Sequence, residues 1–486
     1  MPDELYFAPI TELAAQFRAR RLSPVELAEG YLDRLEKIGP RLGAVAEVLR
    51  ETALGEARQA ERELRAGRDR GLLHGIPYGV KDLIATREGR TTWGAAPYKD
   101  QRFDFDATVV RKLRAAGAVL LAKLAMVELA GGMGYNKADA SLTGACRTPW
   151  NTDYWSGGSS SGPGAATAAG LVQFAIGSET SGSIITPAAF CGVTGLRPTY
   201  GMISRHGAMA LCWTLDKLGP MCRSAADCGV VLNAIAGHDS LDPTSRESAF
   251  RYPPARQNRR TTTPAKPAQM RLAVLKDSYE KAQAEVRDNF LAALEVLKKA
   301  DGRIRIEMDV KLPDFPYGPA VGTIVDAEGA SAFRDLIESG RVKELASPEG
   351  RLGGYAASLV TAVDYLHAMR LRAPMRRAWG QLFQMHDLLV APSRSTVAYP
   401  VDKTFDQAWP GISASSPIGA SNLVGVPAIS IPNGFGQAGL PTGIQFIGPA
   451  WGESRLLEVA ELYQRATDWH KRRPATNWTN AHRLST

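Results

Sequence analysis

Polar and apolar positions follow two different periods along this chain. Near the N-terminus the period is helical. In LSPVELAEGYLDRLEKI, Leu27, Tyr31, Leu35 and Ile38 fall on one face. Ahead of them Ser23, Pro24 and Glu26 read as an N-cap serine, a proline at the first helical position and a capping-box glutamate. A second helix is predicted over Glu51 to Gly67, which makes residues 1–70 a helical N-terminal part. From His74 the texture changes to short apolar runs bounded by glycine. GIPYGVKDLIAT predicts a strand. TVVRKLRAAGAVLLAKLAM predicts a helix, a turn at Gly117 and a buried strand. GAATAAG predicts a short helix of small residues with a close neighbour. LVQFAIG, MRLAVLKD, RIRIEMDV, HDLLVAPSR and PAISIPNGF predict further strands. Between them Val286, Phe290, Ala293, Leu294 and Leu297 mark one face of a helix, and residues 314–387 are predicted to be mostly helical and to shape a pocket mouth.

Alternation of helices and strands places the chain in the α/β class. Ser240 to Gln269 is polar and proline-rich, and is predicted to be a surface connection. Core strands recur on both sides of it, so one large domain over residues 1–486 is expected rather than two. No repeat of fixed period is present.

Composition narrows the function classes. Hydrophobic residues make up 44% and charged residues 22%, as in ordinary globular proteins. The formal charge is +8, but the basic runs FRARR and HKRRP are short and read as solvated faces, so no nucleic-acid partner is expected. No apolar run reaches the length of a membrane span, so no membrane association is expected. The five cysteines lack the spacing of a disulfide framework or zinc knuckle, which predicts a reducing, cytoplasmic setting with no metal and no cofactor.

The chemistry concentrates in WSGGSSSGPGAATAAG and SETSGSIITPAAFCG, where seven serines cluster. Ser183 stands between a predicted strand and a predicted helix that has Pro187 in its first turn. A hydroxyl there projects outward, with backbone N–H groups facing the same space. Serines in such turns also serve only to satisfy the backbone. G-x-S-x-G is absent, and none of the seven histidines stands in a motif beside the glycine-rich region. The glycine-rich run lacks the Lys-Ser or Lys-Thr of a phosphate loop. Lys81 ends an apolar strand; taken alone it reads as a surface lysine paired with Asp82.

Three segments together resemble the amidase signature family: GIPYGVKD, SGGSSSGPGAA and SETSGSIITPAAFCGVTGLRPTYG. The resemblance continues through LDKLGPMCRSAADCG, VGVPAISIPNGF and GLPTGIQFIGPAWGESRLLEVA. It implies a central mixed β-sheet covered by helices on both faces. It also implies a Ser–cis-Ser–Lys triad, with Ser183 as nucleophile, Ser159 as the bridging serine after a cis peptide, and Lys81 as base. Burial would lower the lysine toward a working value near ~7–8. The N–H groups of Thr180, Ser181, Gly182 and Ser183 would hold the oxyanion. Gly131, Gly132 and Met133 match the family's pocket loop. Trp213 would wall the same pocket or fill the core, and Ser178 reads as a structural turn residue.

The chain departs from the family pattern Asp-Thr-Gly-Gly-Ser-x-Arg. It carries Glu179 for the acid, Ser181 for a glycine and Ile185 for the arginine. Ile185 removes a cation near the site and points to a neutral or apolar substrate-binding wall. The reading that follows is a serine hydrolase of neutral aryl or alkyl amides, with carbamates (urethanes) or esters as further substrates, acting through an acyl-enzyme on Ser183 as a monomer or homodimer. The alternative is the glutaminase component of a tRNA-dependent amidotransferase, its A subunit, with a partner and an RNA substrate.

Overall fold

The computed structural model describes residues 2–253 and 269–475. Among the described residues eleven strands form one sheet: β1 (Val45–Val48), β2 (Pro77–Lys81), β3 (Val119–Leu124), β4 (Phe174–Glu179), β5 (Thr194–Arg197), β6 (Lys217–Cys222), β7 (Met270–Leu275), β8 (Ile304–Val310), β9 (Leu388–Pro392), β10 (Ala428–Phe435) and β11 (Pro441–Ile447). Their order is β1-β3-β2-β4-β6-β5-β10-β11-β9-β7-β8. β2 runs parallel to β3 and β4, and β7 parallel to β8 and β9, while the strands between these groups pair antiparallel. The sheet is therefore mixed. β2, β3, β4, β6, β9 and β11 are buried at every position, because helices flank the sheet on both faces.

The N-terminal helix forms as its sequence directs. It spans Pro24–Leu42; the Ser23 Oγ accepts from the N–H of Val25, and the Glu26 carboxylate accepts from the N–H of Ser23. Leu27, Tyr31 and Leu35 are fully buried, and Ile38 packs partly buried against the same core. The five apolar positions predicted on the later helix, Ala284–Ala300, all face the core. The stretch 314–387 is mostly helical.

In the predicted surface connection 240–269, the described residues 240–253 form no helix or strand and are largely exposed, tied down at a few points. Asp242 and Ser245 are buried and hydrogen-bonded, and the Tyr252 hydroxyl donates to Glu461. Residues 254–268 of that stretch lie outside the described residues. The strand LVQFAIG runs further than its apolar letters, to Glu179, so Ser178 is in a strand rather than a turn.

The short strands β1, β5 and β6 and the strand β11 were not anticipated. Glycine and proline break the apolar pattern of β5, β6 and β11, and β1 is only four residues long with Glu47 among them. In β6, Gly219 is needed for close strand approach, since a Cβ there would lie 2.2 Å from the carbonyl oxygen of Leu196. Among the described residues no helix is long and apolar enough to cross a membrane.

Candidate active site

Lys81 ends β2, and Ser178 lies one residue before the end of its parallel neighbour β4. Carboxyl ends of parallel strands are where open α/β sheets expose their reactive groups. Lys81 is fully buried. Its Nζ lies 2.7 Å from the Oγ of Ser159 and 2.9 Å from the Oγ of Ser178. The Ser159 Oγ is in turn 2.9 Å from the Oγ of Ser183, and the Gly158–Ser159 peptide is cis. Lys81, Ser159 and Ser183 thus form one hydrogen-bonded chain. Asp82 does not hold Lys81; it accepts from Thr92 and pairs with Lys123 at 3.5 Å. Burial lowers the Lys81 ammonium to about 7, against the opposing pull of Asp216 and Glu179.

Ser183 sits between β4 and the helix Ile185–Cys191. Among the described residues, no backbone acceptor pairs with the N–H of Ser181, Gly182 or Ser183. Gly182 takes the left-handed conformation, φ +93°, that this turn requires, so Ser181 adopts an ordinary φ without distorting the loop. Thr180 anchors the loop from the other side, its Oγ1 donating to Asp216 at 2.6 Å.

Glu179 holds the loop from beneath. Both it and Arg197 are fully buried and pair at 2.9 Å. The same carboxylate accepts from Asn422 and from the N–H groups of Ile184 and Ile185. Burial works to raise the Glu179 carboxyl, and is overcome by Arg197 and Asn422, which hold it at about 2. Arg197, on β5, supplies the partner cation, so none is required at position 185.

A cavity of about 430 Å³ opens in front of Ser183. Its walls include Gly131, Tyr135, Trp155, Tyr399 and Phe405, with Val325 from the 314–387 stretch and Arg394 as its charged side chain. Of the predicted substrate contacts only Gly131 lines it. Ile185 is fully buried in the core, because its helix turns that face away from the cavity. Gly132 is packed under Leu211, and Met133 fills space against Gly353 and Gly354 of the neighbouring helix. Trp213 is 44% exposed and borders a second cavity. The expected loss of a cation at position 185 does not leave the cavity without one, since Arg394 arrives from beyond β9. Sequence reasoning also missed Ser178, whose signal was its place five residues before Ser183, near the end of an apolar strand.

The amidase family model matches residues 26–457. The chain belongs to the amidase signature family. It is 36% identical, over 98% of its length and 100% of the relative's, to the A subunit of glutamyl-tRNA(Gln) amidotransferase from Acinetobacter baumannii. It is 31% identical to the crystal structure of native peptide amidase from Stenotrophomonas maltophilia, covering 97% of this chain and 99% of that one, with a TM-score of 0.80. The structure of the amidotransferase A subunit from Thermotoga maritima matches at 25% identity and a TM-score of 0.72, covering 92% and 95%. Members of this amidase signature family hydrolyse amides, and this chain is an amide-hydrolysing enzyme by that membership and fold.

Proposed function

We propose that this amidase cleaves neutral amides with aryl or alkyl groups, and carbamates of the same shape, through an acyl-enzyme on Ser183. The observation that carries the reading is the cavity wall. Four aromatic rings, Tyr135, Trp155, Tyr399 and Phe405, surround the space before Ser183, with one cation and no carboxylate among the lining residues. Aromatic walls suit a flat or apolar group desolvated on binding.

The steps follow from the hydrogen-bonded chain. Neutral Lys81 donates one N–H to Ser178, which leaves its lone pair facing Ser159. Lys81 takes the Ser159 proton as Ser159 takes that of Ser183, and the Ser183 Oγ attacks the carbonyl carbon. The N–H groups of the 180–183 loop receive the oxyanion. The C–N bond breaks as the relayed proton returns to the leaving nitrogen. Water then adds to the acyl-enzyme by the same relay and frees Ser183. A carbamate offers the same carbonyl, with an amine or an alcohol as leaving group.

The second reading, an amidotransferase component working with partners, is favoured by the 36% identity to the Acinetobacter protein, higher than the identity to peptide amidase. Against it stands the cavity chemistry. Arg394 could meet the α-carboxylate of glutamine, but no lining carboxylate meets its α-ammonium. A panel of p-nitroanilides, aryl carbamates and glutamine, with fluorophosphonate labelling, tests both readings. Turnover of anilides or carbamates with label on Ser183 supports the first. Ammonia release from glutamine alone among the panel, dependent on a co-purifying partner, replaces it with the second.

A further inference from the structure

A second cavity, of about 350 Å³, adjoins the first; Ala130, Thr180 and Leu211 line both. Its walls are largely apolar, with Leu83, Met209, Trp213 and Leu218, and it also touches Ser178, the residue that holds Lys81. Lys217 lies on its floor. This lysine is 2% exposed, and the one acceptor its Nζ finds among the described residues is the carbonyl of Leu215. An ammonium carries three donors, so two face no protein acceptor. No carboxylate of the described residues lies within ion-pair distance of it. Glu179 is taken by Arg197 and Asn422, and Asp216 by Thr180 and the N–H groups of Leu211 and Cys212.

We infer that this second cavity is a ligand subsite for an apolar group ending in an oxygen acceptor, a carboxylate above all, with Lys217 as its recognition residue. An unmatched donor buried at the end of an apolar slot selects for its missing acceptor, because a ligand without one leaves the donor unpaired. The inference deepens the proposed amidase reading, on which its place in catalysis rests: substrates carrying such a group on the side that passes Thr180 are bound by it. The binding itself is independent of turnover.

Burial first, then Arg197, brings Lys217 down to about 7, while Glu179, Asp216 and Cys212 pull the other way. Arg205, His206 and Asp242 complete the charged and titratable lining. Protonated Lys217 binds an anion, so affinity falls as pH rises through about 7.

The test is calorimetric titration of the whole enzyme with phenylacetate at pH 6 and pH 8.5, alongside benzyl alcohol as a neutral comparison. Expected is tenfold or greater weakening at pH 8.5 for wild type and for Arg394→Met, with weak, pH-independent binding for Lys217→Met. Should Lys217→Met not fold, Met209→Trp fills the slot and must give the same loss. Phenylacetate binding at wild-type strength in these slot variants, binding that keeps its pH dependence in Lys217→Met, or binding that is lost only in Arg394→Met, overturns the proposal. A failure of amide turnover with intact Lys217-dependent binding would instead strike the proposed function.

Discussion

Glu179→Gln removes the charge beneath the nucleophile loop while keeping its shape. Its cost follows from the partners. Arg197 is fully buried and would lose its counter-charge, and a neutral amide cannot accept from all four donors that Glu179 serves. Breaking a buried ion pair from one side costs about 3–5 kcal/mol. Linkage gives a similar size. A carboxyl held at about 2 against an ordinary 4.5 corresponds to about 3 kcal/mol, at about 1.4 kcal/mol per pKa unit. Because the folded value is depressed, this contribution is full above about pH 4.5 and is lost as pH falls toward 2. An unfolding entropy of ~2.1 cal/mol/K per residue, taken over the whole chain, sums to about 1 kcal/mol/K, so the melting point should fall by about 3–5 °C at pH 7. The assay is a thermal melt of wild type and variant from pH 7 down to pH 3. The gap should narrow below about pH 4.5, as the unfolded wild-type chain takes up a proton that folded Glu179 does not, and Arg197→Met in the Glu179→Gln background should recover part of the loss. A gap under 1 °C at pH 7, or one that widens in acid, would refute the assignment of Glu179 as a buried anchor.

Three further outcomes are expected. With Lys81 titrating near 7 and active when neutral, kcat/KM should fall about tenfold per pH unit below 7 and level off above it, and a flat profile from pH 5 to 9 would remove Lys81 as base. Ser178→Ala should cost about 1 kcal/mol, a five- to tenfold loss in kcat/KM with the melting point held, whereas Lys81→Ala should abolish turnover; equal losses would contradict a positioning role for Ser178. Gly182→Ala must hold a Cβ at φ +93° and 3.2 Å from Ile418, a strain of about 1–2 kcal/mol, so activity should drop at least tenfold while Ser181→Gly stays within threefold; a tolerant Gly182 would mean the loop does not need its left-handed turn.

Much of this was legible in the letters. Helical periodicity placed the N-terminal helix and its Ser23–Glu26 cap, and the glycine-serine segments led to Lys81, Ser159 and Ser183, which the structure brings into contact. What stayed hidden depended on long-range pairing. Ser178 looked like a turn residue because the strand continues past its apolar letters, held by pairing with β6. Arg197 and Asn422 reach Glu179 from distant segments, so no local pattern marks them. The cavity walls come from 135, 155, 325 and 394–405, and side chains meeting across such separations have no shared spacing to read. Met133 and Ile185 failed as substrate contacts for the converse reason. Apolar letters near a site fill the core beneath it as readily as they line it.

The order of the sheet has an evolutionary consequence. Every member of the proton relay is carried by the half-sheet from β2 to β6, within residues 81–183, whereas Arg394, Tyr399 and Phe405 follow β9 in the other half, across the β5–β10 seam. Tyr135 and Trp155 share the relay's stretch, but this part of the cavity wall is written in a separate stretch of the gene. Recombination or focused libraries over residues 394–405 can exchange that part of the wall while the relay and the Asn422 anchor are inherited intact, leaving the same acyl-transfer engine open to new substrates.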